Sequence, residues 1–286
     1  MTDYECISEA LGRALKMRYT RMVTAEIFMP PENCSQRLTF YAAPAVSIPL
    51  TGEQPQYFYR NGLWQRFVCE PGTVMHYPRM CYVGSTAEMY RTENFGMILH
   101  PEFLRLIYGR KAEPEHAGGL MAHVHVSSLR QSTRTLMEAL SQLGISGDSD
   151  AMAVHILPLL LRAVATDLET YRRSRLEVSE ELYWKICSYV RDNFAFIGTR
   201  TEVADHFHIS EVYLSKLFRR YGGGESFNEY LNHIRLETAV QLLQHSDISC
   251  RELALRCGYT SGSYFIRCFR NRFNCTPLYY RKLHEK

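Results

Sequence analysis

Short apolar runs, separated by turn residues, mark the chain between residues 40 and 100. The runs are rich in β-branched and aromatic residues, and the turn signals between them include Asn61-Gly62 and Pro71-Gly72. An Asn-Gly pair between two such runs favours a β-hairpin, because both turn residues must accept positive φ. Strands at intervals of about ten residues are typical of a small barrel or sandwich and not of a βαβ sheet. The runs begin at Ala45, Gln56, Trp64, Thr73 and Phe95.

The pattern then changes to helical spacing. Leu129, Leu136, Leu140 and Leu143 recur as the residues on one face of a helix do. Residues 151–171 are apolar on nearly every side. A helix of this kind must be covered, either by its own domain or by a second subunit, and the composition leaves both interpretations open.

A polar and charged segment, residues 171–181, follows this helix and indicates a linker. Beyond it almost every apolar position returns at helical spacing. A chain of 286 residues is long enough for two ordinary domains. We therefore predict an α+β chain with a first domain over residues 1–175, a linker at residues 176–181 and a second, all-α domain over residues 182–283.

The second domain contains an internal repeat. The segment that begins at Glu202 aligns with the one that begins at Glu252, and the segment from Tyr213 aligns with the one from Tyr264. The offset is 50 residues before the turn and 51 after it, so one residue is inserted in the second turn. A repeat of this kind predicts two helix-turn-helix units. The predicted units span about residues 201–221 and 250–273.

Each unit has a second helix with a cation in its middle, Lys216 in the first unit and Arg267 in the second. An α-helix fits the major groove of DNA, where base edges carry distinct patterns of donors and acceptors. The second helix enters the groove with its N-terminal end, called the leading end here, and small residues at that end allow the helix backbone to approach the DNA closely. Serines there also cap the helices and direct their positive ends toward phosphate. These small and capping residues are Ser210 in the first unit and Ser261, Gly262 and Ser263 in the second.

The aromatic and aliphatic residues of the two second helices alternate with the cations at helical spacing, so we expect them in the core and not stacked on bases. Lys216 and Arg267 have an alternative interpretation as solvated surface cations, but their matched places in repeated units favour a functional role. The expected core residues are Tyr213, Leu214, Phe218, Tyr264, Phe265 and Phe269.

The segment between the two units predicts a long connecting helix. Ser226 and Glu229 form the S-x-x-E pattern of a capping box, and apolar residues continue at helical spacing to about Ser246. About 21 residues at ~1.5 Å each give a length of roughly 31 Å. Successive faces of the major groove lie about 34 Å apart, so this helix is long enough to hold two reading helices one turn of DNA apart. A run of three glycines, residues 222–224, provides the bend before it.

From about Leu182 to Leu283, the sequence resembles the DNA-binding domain of the AraC/XylS family. This stretch is about a third of the chain, and the likeness is far more specific than a lone helix-turn-helix pattern. The residues that carry it are Ile209-Ser210, Tyr213-Leu214-Ser215, Leu217-Phe218, Ser226-Phe227, Tyr230-Leu231, Arg235-Leu236, Ala239, Leu242-Leu243, Glu252-Leu253-Ala254, Cys257-Gly258-Tyr259, Ser263-Tyr264-Phe265, Phe269-Arg270, Thr276-Pro277 and Tyr280-Arg281.

The resemblance implies a bacterial transcription regulator, an activator or a dual regulator, whose partners are double-stranded DNA and RNA polymerase. It also implies an N-terminal cupin-like β-barrel with dimerisation helices, which senses a signal. Two departures from the family pattern matter. The glycine run is one residue longer than usual, which would loosen the spacing of the two helix-turn-helix units. Gly262 has no side chain, at a position where the base-reading residue is often larger. The implied base-reading positions are Val212, Ser215, Lys216, Gly262, Ser263, Ile266 and Arg267, and the implied phosphate contacts are Arg219, Arg220, Arg270 and the helix ends.

Charge and cysteine content narrow the class of protein. The net charge of +3 lies wholly in residues 179–286, which carry 15 Lys and Arg and 12 Asp and Glu. Nine cysteines without a C-x-x-C pair argue against a disulfide framework or a zinc module and fit a reducing compartment. The acidic start of the chain is unlike a signal peptide, and the most apolar run is too short to span a membrane, so we expect a cytoplasmic protein without membrane contact.

Aromatic and polar residues on the β-rich runs are candidates for an effector pocket, because small barrels often enclose one ligand. Ordinary strand packing explains the same residues, and both interpretations stay open. We expect no metal or other cofactor, because His123 and His125 lie after the barrel and lack a third convergent ligand. The candidate pocket residues are Tyr57, Tyr59, Trp64, His76 and Tyr82.

We predict a non-enzymatic, homodimeric transcription regulator whose DNA binding a small-molecule effector or a partner modulates at the first domain. One alternative is a cupin-type metal enzyme with an appended DNA-binding domain, which would contain metal at near-stoichiometric levels. Another is a regulator that only protein partners control, whose first domain no small molecule would stabilise against heat.

Overall fold

The computed structural model describes residues 1–27, 38–60, 63–79, 81–84, 92–111, 120–146, 150–174 and 178–284. The chain forms two compact units, Met1–Arg175 and Leu176–Lys286. The first unit contains helices and strands, and the described part of the second contains helices only, which confirms the mixed α+β class.

The first unit combines ten strands with three helices over its described residues. The predicted β-rich runs coincide with five of these strands, so the β-rich first half is confirmed. The strands are β1 (Arg21–Thr24), β2 (Leu38–Tyr41), β3 (Ala45–Pro49), β4 (Gln54–Arg60), β5 (Leu63–Cys69), β6 (Thr73–Tyr77), β7 (Cys81–Gly84), β8 (Asn94–Leu99), β9 (Phe103–Lys111) and β10 (Leu120–Ser128). The helices are α1 (Asp3–Ala14), α2 (Gln131–Ser146) and α3 (Asp150–Ser174).

The described strands form two open sheets. The larger sheet has the order β1-β6-β3-β8-β9-β10, and the smaller has the order β2-β7-β4-β5. Neighbouring strands are antiparallel except β1 and β6, which are parallel. Among these strands, the two outer strands of each sheet do not pair with each other, so the closed, cupin-like barrel that we expected is not confirmed. Alternation of apolar residues predicts the two faces of a strand, but it does not predict the partners of the outer strands.

Strands β4 and β5 form the hairpin that the sequence predicts. They pair antiparallel along their whole length, and Arg60 lies opposite Leu63. The predicted turn residues, Asn61 and Gly62, lie outside the described residues. The second turn signal, Pro71-Gly72, connects β5 to β6.

Alternating residues of the central strands divide between two apolar cores. Ala45 and Met75 lie in a core with Phe58 of the smaller sheet, so this core separates the two sheets. Val46 and Val74, their neighbours in sequence, pack in a second core with α1, α2 and α3. The centre of the larger sheet is therefore buried on both faces, and every residue of β3 and β6 is buried.

Helix α3 is covered on one side by its own unit. Leu157, Leu161 and Val164 are fully buried in the core between the larger sheet and the helices. Met152 and Leu159 are 56% and 55% exposed. The first unit therefore buries one side of α3, and the exposed side of the helix is accessible to a second subunit.

Helix α4 (Val178–Asn193) begins within the segment that we predicted as a linker, residues 176–181. Glu180 and Glu181 lie in its first turn, where negative charge stabilises a helix N-terminus. The described part of the predicted linker is therefore helical, and residues 175–177 lie outside the described residues.

The described part of the second unit consists of seven helices. After α4, the helices are α5 (Arg200–His206), α6 (Glu211–Tyr221), α7 (Phe227–His245), α8 (Cys250–Arg256), α9 (Gly262–Phe273) and α10 (Pro277–His284). Helices α5 and α6 form the first helix-turn-helix unit, α8 and α9 form the second, and α7 connects them. No helix among the described residues of the two compact units combines the length and the apolar character that crossing a membrane requires.

The capping box of α7 is present as predicted. The Ser226 amide donates to Glu229 Oε2 at 2.8 Å, and the Glu229 amide donates to Ser226 Oγ at 3.4 Å. The helix contains 19 residues. A rise of ~1.5 Å per residue gives it a length of about 28 Å, close to the predicted length.

Candidate nucleic-acid interface

The two helix-turn-helix units have the same backbone geometry at their turns. His208 in the first unit and Gly258 in the second have positive φ, 53° and 80°. The amide of the following residue donates to the carbonyl oxygen of Ala204 or Ala254, at 2.9 Å in both units. The corresponding residues are 50 positions apart, so the sequence repeat is also a structural repeat.

Serine side chains cap the N-termini of α6 and α9, as predicted. Ser210 Oγ accepts a hydrogen bond from the Tyr213 amide at 3.1 Å, and Ser261 Oγ accepts one from the Tyr264 amide at 3.3 Å. The first amides of a helix have no acceptor within the helix. Each N-terminus therefore combines free N–H donors with the positive end of the helix dipole, which suits an anion.

One side of each of α6 and α9 packs into the core of the C-terminal unit, and the other side is exposed to solvent. Leu214 and Phe218 of α6 and Phe265 and Phe269 of α9 are fully buried. The residues at the predicted base-reading positions lie on the open side, where Val212, Lys216, Gly262, Ser263 and Arg267 are exposed and Ser215 and Ile266 are half-buried. The predicted phosphate-contacting residues Arg219, Arg220 and Arg270 are also exposed.

Two aromatic residues that we expected in the core are exposed instead. Tyr213 is 39% exposed and Tyr264 is 48% exposed, because each lies in the first turn of its helix and the buried residues begin one position later. The guanidinium carbon of Arg267 lies 5.1 Å from the centroid of the Tyr264 ring, within cation–π distance. A hydrogen bond with the Cys268 side chain raises the pKa of the Tyr264 hydroxyl, which stays protonated at neutral pH. Tyr264 therefore supports the side chain of Arg267, a role that the sequence analysis missed.

Glu211 is a second residue that the sequence analysis missed. Its carboxylate accepts a hydrogen bond from Thr201 Oγ1 at 2.6 Å and pairs with the Arg200 guanidinium. The hydrogen bonds from Thr201 and Arg200 lower the pKa of Glu211 below its ordinary value. These contacts tie the first turn of α5 to the first turn of α6. The only signal in the sequence is an acidic residue directly after the capping Ser210, where a helix favours negative charge.

The second unit has Gly262 at the position that corresponds to Glu211. Among the described residues, a Cβ added to Gly262 would meet no atom within 4 Å outside its chain neighbours and its own helix backbone. The leading end of α9 is therefore open, whereas Glu211 and its partners occupy the leading end of α6.

The glycine run at residues 222–224 forms a hydrogen-bonded turn. The Gly222 amide donates to Phe218 O at 2.8 Å, and the Glu225 amide donates to Gly222 O at 3.1 Å. The turn is thus anchored at both ends, and the extra glycine lies inside a defined connection between α6 and α7.

Four of the candidate pocket residues lie on one face of the smaller sheet. Tyr57, Tyr59 and Trp64 point away from the core between the sheets, because their neighbours in the strands, such as Phe58, fill that core. Tyr82 alternates in the same way with core residues of β7. Tyr59 and Trp64 lie opposite each other in the hairpin, with ring centroids 5.7 Å apart.

His76, the fifth candidate, lies in a different place. It is fully buried on the side of the larger sheet that packs against the helices, with Nε2 3.2 Å from Ser141 Oγ of α2. Burial lowers the pKa of His76 to about 4, so the ring is neutral at pH 7. His76 follows Met75, which faces the core between the sheets, so it must face the opposite way. The structure therefore does not bring His76 together with the four aromatic residues.

His123 and His125 lie on β10, so our expectation that they follow the sheet was wrong. His123 Nδ1 lies 2.9 Å from Asp3 Oδ1, and the His125 ring packs edge-on against Tyr171 with centroids 4.5 Å apart. In the part of the chain that the structure describes, no group of three or more His, Cys, Asp or Glu side chains has the geometry to hold a metal ion.

Residues 203–283 match a family described as a helix-turn-helix domain. YijO, an uncharacterized HTH-type transcriptional regulator of Escherichia coli K12, is 42% identical over 104 residues, which are 36% of each chain. The regulatory protein PocR of Salmonella typhimurium is 41% identical over 81 residues, which are 28% of this chain and 26% of PocR. GadX, an HTH-type transcriptional regulator of Escherichia coli K12, is 29% identical over 128 residues, which are 45% of this chain and 41% of GadX.

A solved AraC-type transcriptional regulator from Chromobacterium violaceum aligns with 35% of this chain and 89% of its own, at 31% identity and a TM-score of 0.33. The chain spans about a third of the length of the curated relatives that it matches at more than 40% identity. Because residues 203–283 match the helix-turn-helix family, the C-terminal unit carries an AraC-type helix-turn-helix domain, as the resemblance predicted.

Proposed function

We propose that this chain is a sequence-specific DNA-binding transcription regulator, and that α6 and α9, the reading helices, enter the major groove of double-stranded DNA. One observation carries the proposal. Two turns of the same geometry present two serine-capped helices, each with a cation in the middle of its exposed face. Helices presented in this way fit the major groove with their leading ends first. The match of residues 203–283 to a helix-turn-helix domain and the similarity of the chain to transcription regulators support the same conclusion.

In this proposal, the exposed face of each reading helix contacts base edges. Arg267 suits the two acceptors of guanine, and Lys216 offers a more mobile cation at the matching place. Val212 and Ile266 provide apolar surface for the methyl group of thymine. The remaining base-reading positions are Ser215, Gly262 and Ser263.

The phosphate backbone is contacted by a separate set of groups. Arg219, Arg220 and Arg270 are exposed near the far ends of the reading helices, where they neutralise phosphates and release counterions. The capped N-termini at Ser210 and Ser261 add amide donors, which bind phosphate oxygens without regard to sequence.

The first unit modulates DNA binding in response to a small-molecule effector or a partner. A ligand changes activity only through different affinities for two arrangements of the chain. Tyr57, Tyr59, Trp64 and Tyr82 share the outer face of the smaller sheet and form the surface that best suits an effector.

Two further contacts belong to the proposal. The exposed side of α3, with Met152 and Leu159, supports a homodimer, because the described residues of the first unit leave more than half of each of these apolar side chains exposed. The AraC-type domain supports a contact with RNA polymerase and a role as an activator or a dual regulator.

The test is selection of preferred duplexes from a random library by the full chain, at two salt concentrations. We expect enrichment of two short motifs about one helical turn apart, because both reading helices contact bases. The double variant Lys216→Ala, Arg267→Ala is the matched control and should lose the enrichment while it keeps salt-sensitive binding. Salt-sensitive binding by the wild type without any enriched motif would contradict sequence-specific recognition.

A further inference from the structure

Arg235, on the connecting helix α7, holds the segment that leads into the first helix-turn-helix unit. Its Nε and Nη2 donate to the carbonyl oxygen of Phe194 at 3.0 and 2.9 Å. Nη2 also donates to the carbonyl oxygen of Ile197 at 2.6 Å. Both carbonyls lie between α4 and α5, just after a helix C-terminus, where carbonyl groups need donors. The guanidinium therefore fixes this segment to α7.

The same guanidinium contacts the turn of the second unit. Its carbon lies 5.4 Å from the centroid of the Tyr259 ring, within cation–π distance. Tyr259 is buried directly before the second reading helix, and its hydroxyl donates to Asn232 Oδ1, also on α7. One side chain thus joins the approach to the first unit and the turn of the second.

The two backbones also touch at this point. Gly258 has a positive φ of 80°. A Cβ added there would lie 2.7 Å from the carbonyl oxygen of Ala195 and 2.8 Å from its Cα. The turn of the second unit therefore rests directly on the segment that Arg235 holds, and a small shift of that segment would move one unit relative to the other.

The chemistry of arginine suits this place better than that of lysine. A planar guanidinium donates in several fixed directions, whereas an ammonium group is a compact point charge. Hydrogen bonds from a charged donor are stronger than neutral ones, and partial burial strengthens them further. Arg235 therefore defines an angle as well as a distance between the elements that it joins.

We propose that Arg235 is a positioning residue that fixes the separation of the two reading helices and so sets the number of base pairs between the two sites that the chain recognises. This inference rests on the proposed function. Each added base pair moves the second site by about 3.4 Å along the duplex and turns it around the axis. A rigid pair of helices tolerates little of this displacement, whereas a loosened pair follows it.

The test measures the affinity of the full chain for a series of duplexes that contain both selected motifs. The spacing between the motifs is the selected one, or is shortened or lengthened by one or two base pairs. For the wild type, we expect a sharp optimum, with an affinity about tenfold lower at two base pairs from it. Arg235→Met should reduce that ratio to about twofold, because the reading helices then adjust to each spacing. Arg235→Lys should give a ratio between the two, since lysine keeps the charge but loses the fixed directions.

Arg281→Met is the matched control. Arg281 Nη2 donates to the carbonyl oxygen of Ile248 at 2.6 Å, which is the same type of contact but joins α10 to the segment just before α8. This variant should lower the affinity by the same factor at every spacing and keep the tenfold ratio. If Arg235→Met does not fold, the ratio for Arg235→Lys decides, and an unchanged ratio would overturn the inference.

The outcomes separate this inference from the proposed function. If the wild type selects paired motifs and the spacing profile of Arg235→Met follows the wild-type profile at uniformly lower affinity, Arg235 has only a structural role and the inference is wrong. If the wild type selects no motif, the proposed function and the inference fail together.

Discussion

Arg267 and Arg270 lie close together on α9, but their expected roles differ. Arg267 lies against Tyr264 in the middle of the exposed face, whereas Arg270 is exposed one turn later. Arg267→Ala should cost about 1–3 kcal/mol at one base pair and relax specificity there. Arg270→Ala should weaken binding to all duplexes alike and reduce the slope of log affinity against log salt by about 1.

The measurement is a set of dissociation constants for duplexes with single-base changes, each at several salt concentrations. Arg270→Ala serves as the control for Arg267→Ala, since both remove one exposed cation from the same helix. An unchanged base preference in Arg267→Ala would show that Arg267 does not read bases.

Individual residues were predictable where a local pattern determines their contacts. The serine caps follow from Ser210 and Ser261 alone, because a cap bonds an amide only three residues away. Glu211 was missed, because its partners lie ten and eleven residues earlier and only the fold brings them close. Tyr264 was assigned to the core, because helical spacing predicts the face of a residue but not where along the helix the core ends.

At the scale of elements, two glycines of the second helix-turn-helix unit are expected to differ sharply in their tolerance of substitution. Gly258 has positive φ, and a Cβ there would lie 2.7 Å from Ala195 O. Gly258→Ala should therefore lower the free energy of unfolding of the C-terminal unit by about 2–4 kcal/mol, because the substitution adds backbone strain and steric overlap at the turn of the second helix-turn-helix unit. Chemical denaturation of the full chain, followed by helical circular dichroism, measures this change.

Gly262→Ala is the matched control for that substitution. Gly262 is helical and exposed, and an added Cβ meets open space, so stability should stay the same or rise by about 0.5–1 kcal/mol. Equal losses of stability in the two variants would contradict the close approach of the two segments at Gly258.

The helical elements were more predictable than the sheets. The repeat offset of 50 residues located both turns, because equivalent residues adopt equivalent backbone conformations at His208 and Gly258. The capping box at Ser226 likewise located the start of α7. In the first unit, the periodicity identified five strands, but the described strands form two open sheets and the expected barrel is not confirmed, because strand order depends on contacts between residues far apart in sequence.

At the scale of the whole molecule, charge and architecture divide along the chain. Residues 1–178 carry no net charge, and the excess of +3 belongs to the part that contains the helix-turn-helix domain. The salt dependence of DNA binding is therefore expected to arise in the C-terminal unit that contains both helix-turn-helix units, since counterion release requires cations at the phosphates. The first unit contains a sheet whose central strands, β3 and β6, are buried on both faces, so the stability of this unit depends on the polar groups buried there.

His76 is a buried titratable group through which pH should act on the first unit. Its side chain is fully buried, and among the described residues Nδ1 has no hydrogen-bond partner. Burial lowers the pKa of His76 to about 4 in the folded chain, against about 6.5 in an unfolded chain. The unfolded state therefore binds more protons between these values, so the stability that the neutral ring confers is complete above pH 6.5 and is lost as the pH falls toward 4.

From pH 7 to pH 5, this single group should reduce the free energy of unfolding of the first unit by about 2 kcal/mol. Thermal unfolding of the full chain at the two pH values measures the change, and His76→Gln should remove most of it, because glutamine does not titrate. His155→Gln, at an exposed histidine of α3, is the matched control and should leave the pH dependence as in the wild type. A His76→Gln variant that loses as much stability as the wild type would place the acid sensitivity elsewhere in the first unit. His76 contacts Ser141 of α2, so that result would also show that protonation at this contact does not control the packing of the larger sheet against its helices.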